Sequence, residues 1–181
     1  GNGRLATALP RTHVVVLGME RLVADWHQLD LMINLLARSA SGQPLSSYTS
    51  ISTGPRRPEE TDGPDELHIV ILDNGRSDLL AGEYHEMLGC IRCGACLNVC
   101  PVFRQTGGHA YGWVYSGPMG AVLSPLLTHG ADDLSDASTL CGACMDACPV
   151  QIPLQDLLLA LRRDRVADAG LGERAAWSAW A

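Results

Sequence analysis

The chain has 181 residues, enough for one large or two small domains with a hydrophobic core. Its net charge of −7 argues against nucleic acid as a partner, and its lack of lysine excludes a P-loop lysine or a lysine Schiff base in these residues. Seven closely spaced cysteines, an odd number, argue against a disulfide framework and indicate a reducing cytoplasm. We also expect no signal peptide, and no apolar stretch is long enough to span a bilayer.

The first part of the chain predicts part of an α/β layer. His13–Leu17 and Leu67–Leu72 are aliphatic runs that predict buried strands. Apolar residues recurring every three or four positions predict an amphipathic helix from Glu20 to about Ala40, and a further helix is predicted from Ser77 to about Leu88. This order favours parallel strands, but too few are visible to cover both faces of a sheet. We therefore interpret residues 1–76 as the C-terminal part of an α/β domain.

Residues 90–101 have the most specific pattern in the chain, the spacing C-x2-C-x2-C-x3-C followed by proline. This is the bacterial ferredoxin run, in which three thiolates bind one [4Fe–4S] cluster and the fourth binds a neighbouring cluster. Gly94 leaves room for the backbone beside the cluster, and Pro101 fixes the direction of the chain as it leaves. A structural zinc site is the alternative, but zinc sites generally use two C-x2-C pairs well apart in sequence.

A second group of cysteines repeats the run with its first cysteine absent, and Ser138 stands at that place. If the last cysteine of each run serves the other cluster, the seven cysteines divide into two sets with none left over. The first set is Cys90, Cys93, Cys96 and Cys148, and the second set is Cys100, Cys141 and Cys144.

The second cluster is then one thiolate short of a full set. Its fourth position is vacant, bound by water or bound by Ser138, and the sequence favours a helix-capping role for Ser138 over ligation because a hydroxyl is a harder ligand than a thiolate. We expect this cluster to convert readily to a [3Fe–4S] form.

The long separation of the two cysteine groups predicts a mostly α-helical two-cluster ferredoxin domain at residues 77–169, because a compact ββ ferredoxin needs no such insert. Helices are predicted from Met119 to Leu127, from Asp132, and after Pro153, where leucines form an apolar stripe. Residues 170–181 are interpreted as the start of a truncated C-terminal tail.

Several blocks of sequence show a family resemblance. They are CIRCGACLNVCP at 90–101, GGHAYG at 107–112, YSGPMGAVLSPLL at 115–127 and STLCGAC at 138–144, with GNGRL at 1–5, GPRRP at 54–58 and LDNGR at 72–76. In these blocks the chain resembles lactate utilisation protein B. Members of that family are longer at both ends, so the resemblance implies a fragment whose first part belongs to an α/β domain related to isomerase and CoA-transferase folds.

The resemblance also implies a function, that of an iron–sulfur subunit receiving electrons when L-lactate is oxidised to pyruvate. It implies other subunits of a lactate-oxidising complex and a redox partner, without nucleic acid and without a membrane span. It carries the two ligand sets over to the same seven cysteines and assigns no catalytic residue. Two alternatives remain: a subunit of a related glycolate or glycerol-phosphate oxidising complex, and a second cluster whose open iron acts as a Lewis acid on a hydroxy acid.

Overall fold

The structure is a computed structural model that describes residues 2–46, 48–128 and 131–169. The chain divides into two compact units, residues 1–74 and residues 75–181. The predicted tail at 170–181 lies outside the described residues.

The first unit contains two helices and two parallel strands. Its elements in chain order are α1 (Asn2–Ala8), β1 (Thr12–Gly18), α2 (Trp26–Ser41) and β2 (Glu66–Leu72). The strands pair in parallel over their whole length, from Thr12 opposite Glu66 to Gly18 opposite Leu72. The two predicted strands and their parallel direction are therefore present.

The burial predicted for these strands is wrong for the residues that the structure describes. Val14 and Val16 on one face of the sheet are more than half exposed, as are Ile69 and Ile71 on the other. The reason is that the described part of this unit supplies no second layer over either face.

The first predicted helix also starts later than its apolar pattern indicates. Met19–Arg21 form a 3-10 turn, and α2 begins only after Asp25, whose carboxylate accepts a hydrogen bond from the backbone N–H of Gln28. This N-cap satisfies a donor that the first turn leaves unpaired, so the helix starts there. Trp26, one of the apolar residues of the predicted helix, is 69% exposed.

We expect an isolated fragment of residues 1–80 to lack a cooperative unfolding transition. Burial of apolar surface is the main favourable term in folding, and a two-stranded parallel sheet with both faces exposed buries little of it. Circular dichroism on heating and the dispersion of amide resonances will test this expectation. A sharp transition with well-dispersed resonances would contradict it.

All regular elements in the described residues of the second unit are helices or 3-10 turns, joined by loops. The unit contains α3 (Arg76–Ala81), α4 (Ala95–Val99), α5 (Pro101–Thr106), α6 (Gly117–Leu127), α7 (Ala143–Asp146) and α8 (Leu154–Asp168), with 3-10 turns at His85–Gly89, His109–Tyr111 and Asp132–Asp136. The helix predicted to run to Leu88 ends at Ala81, because the backbone becomes extended at Gly82. The predicted helix at Met119–Leu127 is present and begins two residues earlier.

Helix α6 is the centre of this unit. All residues of Gly117–Ser124 are buried, and the helix contacts α4, α5 and α8. Pro125 has no N–H to offer the preceding turn, and the helix ends soon afterwards at Leu127. Since α4 carries Cys96 and α8 follows the second cysteine run, this core fixes elements that hold the thiols.

Candidate metal centre

The first of two cavities in the second unit is bordered by four cysteines. Cys90, Cys93 and Cys96 come from the first run, and Cys148 comes from the second. The rest of the lining is largely apolar and includes Met87, Ile91, Leu97, Met119, Val150, Ile152 and Leu154. The structure thus brings the whole first predicted ligand set to one place.

The second cavity is bordered by Cys100 from the first run and by Cys141 and Cys144 from the second. Ser138 lines the same cavity. Cys100 and Cys144 are buried while Cys141 is exposed, so this cavity reaches the surface on the Cys141 side. The second predicted ligand set is also brought together, along with the serine that replaces its fourth thiol.

The two cavities are neighbours because α4 and α7 contact each other. Cys96 lies in α4 and Cys144 lies in α7, one from each predicted set. Two redox centres held in these cavities would therefore be adjacent.

The two runs have the same backbone conformation, and residues 90–102 align with residues 138–150 without a gap. Arg92 and Leu140, each directly before a cysteine, both have left-handed backbones, with φ of 58° and 52°. Gly94 and Gly142, each directly after that cysteine, both have φ of 80° and begin the short helices α4 and α7. Glycine adopts this conformation without steric cost. Ser138 is therefore the structural counterpart of Cys90.

Backbone N–H groups point at several of the thiols. The N–H of Arg92 donates to Cys90 Sγ, that of Phe103 to Cys100 Sγ and that of Ile152 to Cys148 Sγ, each at 3.4 Å. Such donors stabilise thiolates and tune the reduction potential of a cluster that the thiolates bind.

The acidity of the thiols differs between buried and exposed cysteines. The pKa of Cys96 is raised to about 12, mainly by burial and in smaller part by the neighbouring Cys90, Cys144 and Cys93, although the backbone N–H of Met119 lowers it. Burial also raises the pKa of Cys144. The backbone N–H of Ala143 and then the Thr139 hydroxyl lower the pKa of Cys141. Thiols held neutral by burial and by each other release their protons when a cationic iron centre binds them.

Among the described residues, no three His, Cys, Asp or Glu side chains lie close enough together to hold a single metal ion. The thiols instead surround two cavities, and all seven lie outside disulfides. Soft thiolates are the donors that iron–sulfur clusters take. The donor chemistry therefore fits the predicted clusters.

Family models match both parts of the chain. Residues 1–72 match the LUD domain, and residues 86–152, which include all seven cysteines, match the 4Fe-4S dicluster domain. Similar curated proteins are named "Lactate utilization protein B". That of Shouchella clausii is 58% identical over 90% of this chain and 35% of its own length, and that of Anoxybacillus flavithermus is 54% identical over 99% and 39%. That of Bacillus subtilis is 54% identical over 94% and 36%.

This segment belongs to the lactate utilisation protein B family. The family resemblance stated from the sequence blocks is thereby confirmed. The chain spans between 35% and 39% of the length of the three relatives named above. No solved structure gives a significant match to the chain.

The family match supports iron–sulfur clusters in this chain, while the division of the cysteines between two clusters stays a prediction. No helix in the described ranges is long and apolar enough to cross a membrane. The capping role favoured for Ser138 is wrong, because α7 begins at Ala143, its N-cap is Gly142 and no side chain caps it. The Ser138 hydroxyl instead accepts a hydrogen bond from the backbone N–H of Leu140 at 3.2 Å.

Sequence reasoning missed the role of Arg162 in shaping the second site, because the sequence alone indicates only a basic residue suited to the end of a helix. Its guanidinium donates from Nε to the Ser135 carbonyl and from Nη2 to the Ser138 carbonyl, both at 2.9 Å. Arg165 holds the same loop through the Asp132 carbonyl and the Asp136 carboxylate. The only signal available in the sequence was the spacing of these arginines on one face of α8.

Proposed function

We propose that this chain is an iron–sulfur electron-transfer segment that binds two [4Fe–4S] clusters. Cys90, Cys93, Cys96 and Cys148 hold the first cluster, and Cys100, Cys141 and Cys144 hold the second. The observation that carries the proposal is the pair of cavities, each bordered by thiols from both runs. Exchange of the last cysteine between sites is the pattern of two-cluster ferredoxins.

Electron transfer is the chemistry that this arrangement serves best. The bound clusters would supply one-electron redox steps, and the contact between α4 and α7 brings the two sites together. The residues of this chain exclude water with an apolar lining around the first site and aim backbone N–H groups at the sulfurs. The exposed Cys141 gives the second site an edge at which electrons can pass to or from a partner.

The names of the relatives suggest the biological setting. Because they are called lactate utilization proteins, we propose that this chain serves a complex that oxidises L-lactate to pyruvate in a reducing cytoplasm. Other subunits of that complex and a redox partner deliver and remove the electrons. The alternative is a related complex that oxidises glycolate or glycerol phosphate, and the names of the relatives favour lactate over both.

Anaerobic reconstitution with iron and sulfide is expected to load between about seven and about eight iron atoms per chain, the number required by two clusters. The loaded protein should absorb visible light and, when reduced, give EPR signals from two interacting centres. Iron and sulfide assays on protein freed of adventitious metal provide the count.

Reconstitution in the presence of zinc is the matched control for the alternative interpretation, a structural zinc site. Protein that takes up one zinc ion tightly, and acquires no visible absorbance with iron and sulfide, would overturn the proposal. An iron count near four would retain an electron-transfer role but contradict the second cluster.

A further inference from the structure

We propose that Ser138 supplies the fourth ligand of the second cluster through its hydroxyl oxygen. This assignment rests on the proposed function, because it requires the second cluster to be present. A count of thiols alone leaves the fourth coordination position of this cluster without a protein ligand. The assignment fills that position, so that three sulfurs and one oxygen hold the cluster.

The first line of support is the equivalence of Ser138 with Cys90. The two residues hold the same position in runs that align without a gap and share their left-handed turn residues. Their side chains also make the same local contact. The N–H of Arg92 donates to Cys90 Sγ at 3.4 Å, and the N–H of Leu140 donates to Ser138 Oγ at 3.2 Å. The oxygen therefore lies where the repeat places a ligand sulfur.

The second line of support is the cavity itself. Ser138 lines it together with Cys100, Cys141 and Cys144, just as Cys90 lines the other cavity with its three partner thiols. Thr139 and Gln155 also line the second cavity, but neither stands at a cysteine position of the runs. At the cysteine positions each cavity has four candidate donors, one of which comes from the other run. The donor types differ only at this one place.

The third line of support is the fixing of the Ser138 backbone. Arg162 reaches from α8 and donates to the carbonyls of both Ser135 and Ser138. Arg162 also lies 3.6 Å from Asp136, the acidic residue that Arg165 binds. The guanidinium of Arg162 already holds this loop at two nearby carbonyls. The loop therefore loses little further conformational freedom when the side chain of Ser138 binds a metal.

The hydrogen bond from Leu140 does not compete with ligation. The equivalent hydrogen bond in the first run is accepted by the sulfur of Cys90, which is a predicted ligand. A single atom at this position is therefore suited both to accept the backbone hydrogen bond and to bind iron. To bind iron, the serine hydroxyl gives its proton to water while an Fe–O bond forms, and the N–H of Leu140 then faces an alkoxide oxygen. A hard alkoxide stabilises the oxidised form of the centre, so the second cluster should have the lower reduction potential.

The test compares Ser138→Ala and Ser138→Cys with the unchanged chain, each reconstituted anaerobically with ⁵⁷Fe. The unchanged protein is expected to show one iron site with a distinct Mössbauer spectrum. Ser138→Ala should lose about one iron atom, because loss of Fe²⁺ from the open corner leaves a three-iron centre. One-electron oxidation of that centre by a stoichiometric amount of ferricyanide should then give a [3Fe–4S] EPR signal, under conditions that leave the clusters of the unchanged protein intact. Ser138→Cys should keep the full iron count, lose the distinct site and shift the potential of one cluster upward.

Two matched variants complete the design. Ser135→Ala removes a hydroxyl from the same loop, one that donates to the Asp132 carbonyl and does not line the cavity, and should leave the Mössbauer spectrum unchanged. Cys90→Ser places an oxygen at the equivalent point of the first site. This variant should retain the first cluster, and the protein should then show a second distinct iron site, one in each cluster.

If Ser138→Ala has the same iron count and the same sensitivity to oxidation as the unchanged protein, the ligand assignment is overturned. The two-cluster function is then unaffected. The ligand assignment would also be overturned if the unchanged protein showed no distinct iron site. If the unchanged protein takes up only one cluster, the two-cluster part of the proposed function fails, and the role of Ser138 fails with it. The ⁵⁷Fe count of the unchanged protein separates these two failures.

Discussion

Cys100→Ala is expected to abolish the second cluster, although Cys100 belongs to the first cysteine run. The substitution leaves two thiols, Cys141 and Cys144, beside the harder oxygen of Ser138, and two thiolates with one oxygen are too weak a set to hold an iron–sulfur centre. The iron count should fall from about eight to about four. Cys148→Ala should act on the first cluster instead, converting it to a three-iron form, because three thiols remain there.

The EPR spectra of reduced protein distinguish the crossed arrangement from a simple one. Under the crossed arrangement, Cys100→Ala should leave the same residual spectrum as Cys144→Ala. If each run held its own cluster, Cys100→Ala would instead resemble Cys93→Ala. The second result would contradict the ligand sets and require a different path of the chain around the cavities.

Which cysteines border each cavity was predictable from sequence, because cysteine spacing sets which corners of a cluster a short chain can reach. The x3 step before Cys100 and before Cys148 turns each away from its own run, and the structure places each in the opposite cavity. Parallel pairing of β1 and β2 was predictable for a similar reason, since a helical crossover between two aliphatic runs favours it.

Other features depend on contacts between distant segments, which a single sequence does not reveal. The apolar periodicity of α2 extends upstream of Asp25, yet the cap at Asp25 decides where the helix starts. The helix predicted from Ser77 ends early because Gly82 interrupts it, although the apolar pattern continues. The hold of Arg162 on the Ser138 loop joins segments that are far apart along the chain. None of these outcomes follows from local propensity alone.

The position of Ser138 illustrates the same limit at the scale of one atom. From the sequence, its hydroxyl had two competing uses, a helix cap and a ligand. The structure shows a third geometry, a bond from the N–H two residues later, which the first run repeats with a cysteine. Comparison of the two runs in space therefore changes the interpretation of a residue that spacing alone left open.

Leu158→Ala is expected to lower the free energy of unfolding by about 2 to about 5 kcal/mol, the range for removing a fully buried leucine. Leu158 is 1% exposed in the core of the second unit and also lines the second cavity. The void left by alanine cannot be refilled easily, because Leu154 and Leu157 on the same helix are buried as well. Water admitted there reaches the second cluster, whose lifetime in air should shorten.

Leu159→Ala provides the matched control on the same helix. Leu159 is 45% exposed, so its truncation removes little buried surface and should change the stability by no more than about 0.5 kcal/mol. Denaturant midpoints of the cluster-loaded variants, measured without oxygen, compare the two losses, and bleaching in air reports the lifetimes. Equal destabilisation by both substitutions would show that α8 does not bury Leu158 as described. Equal bleaching of both clusters in Leu158→Ala would show that the void opens beyond the second cavity, since a local void exposes only the cluster beside it.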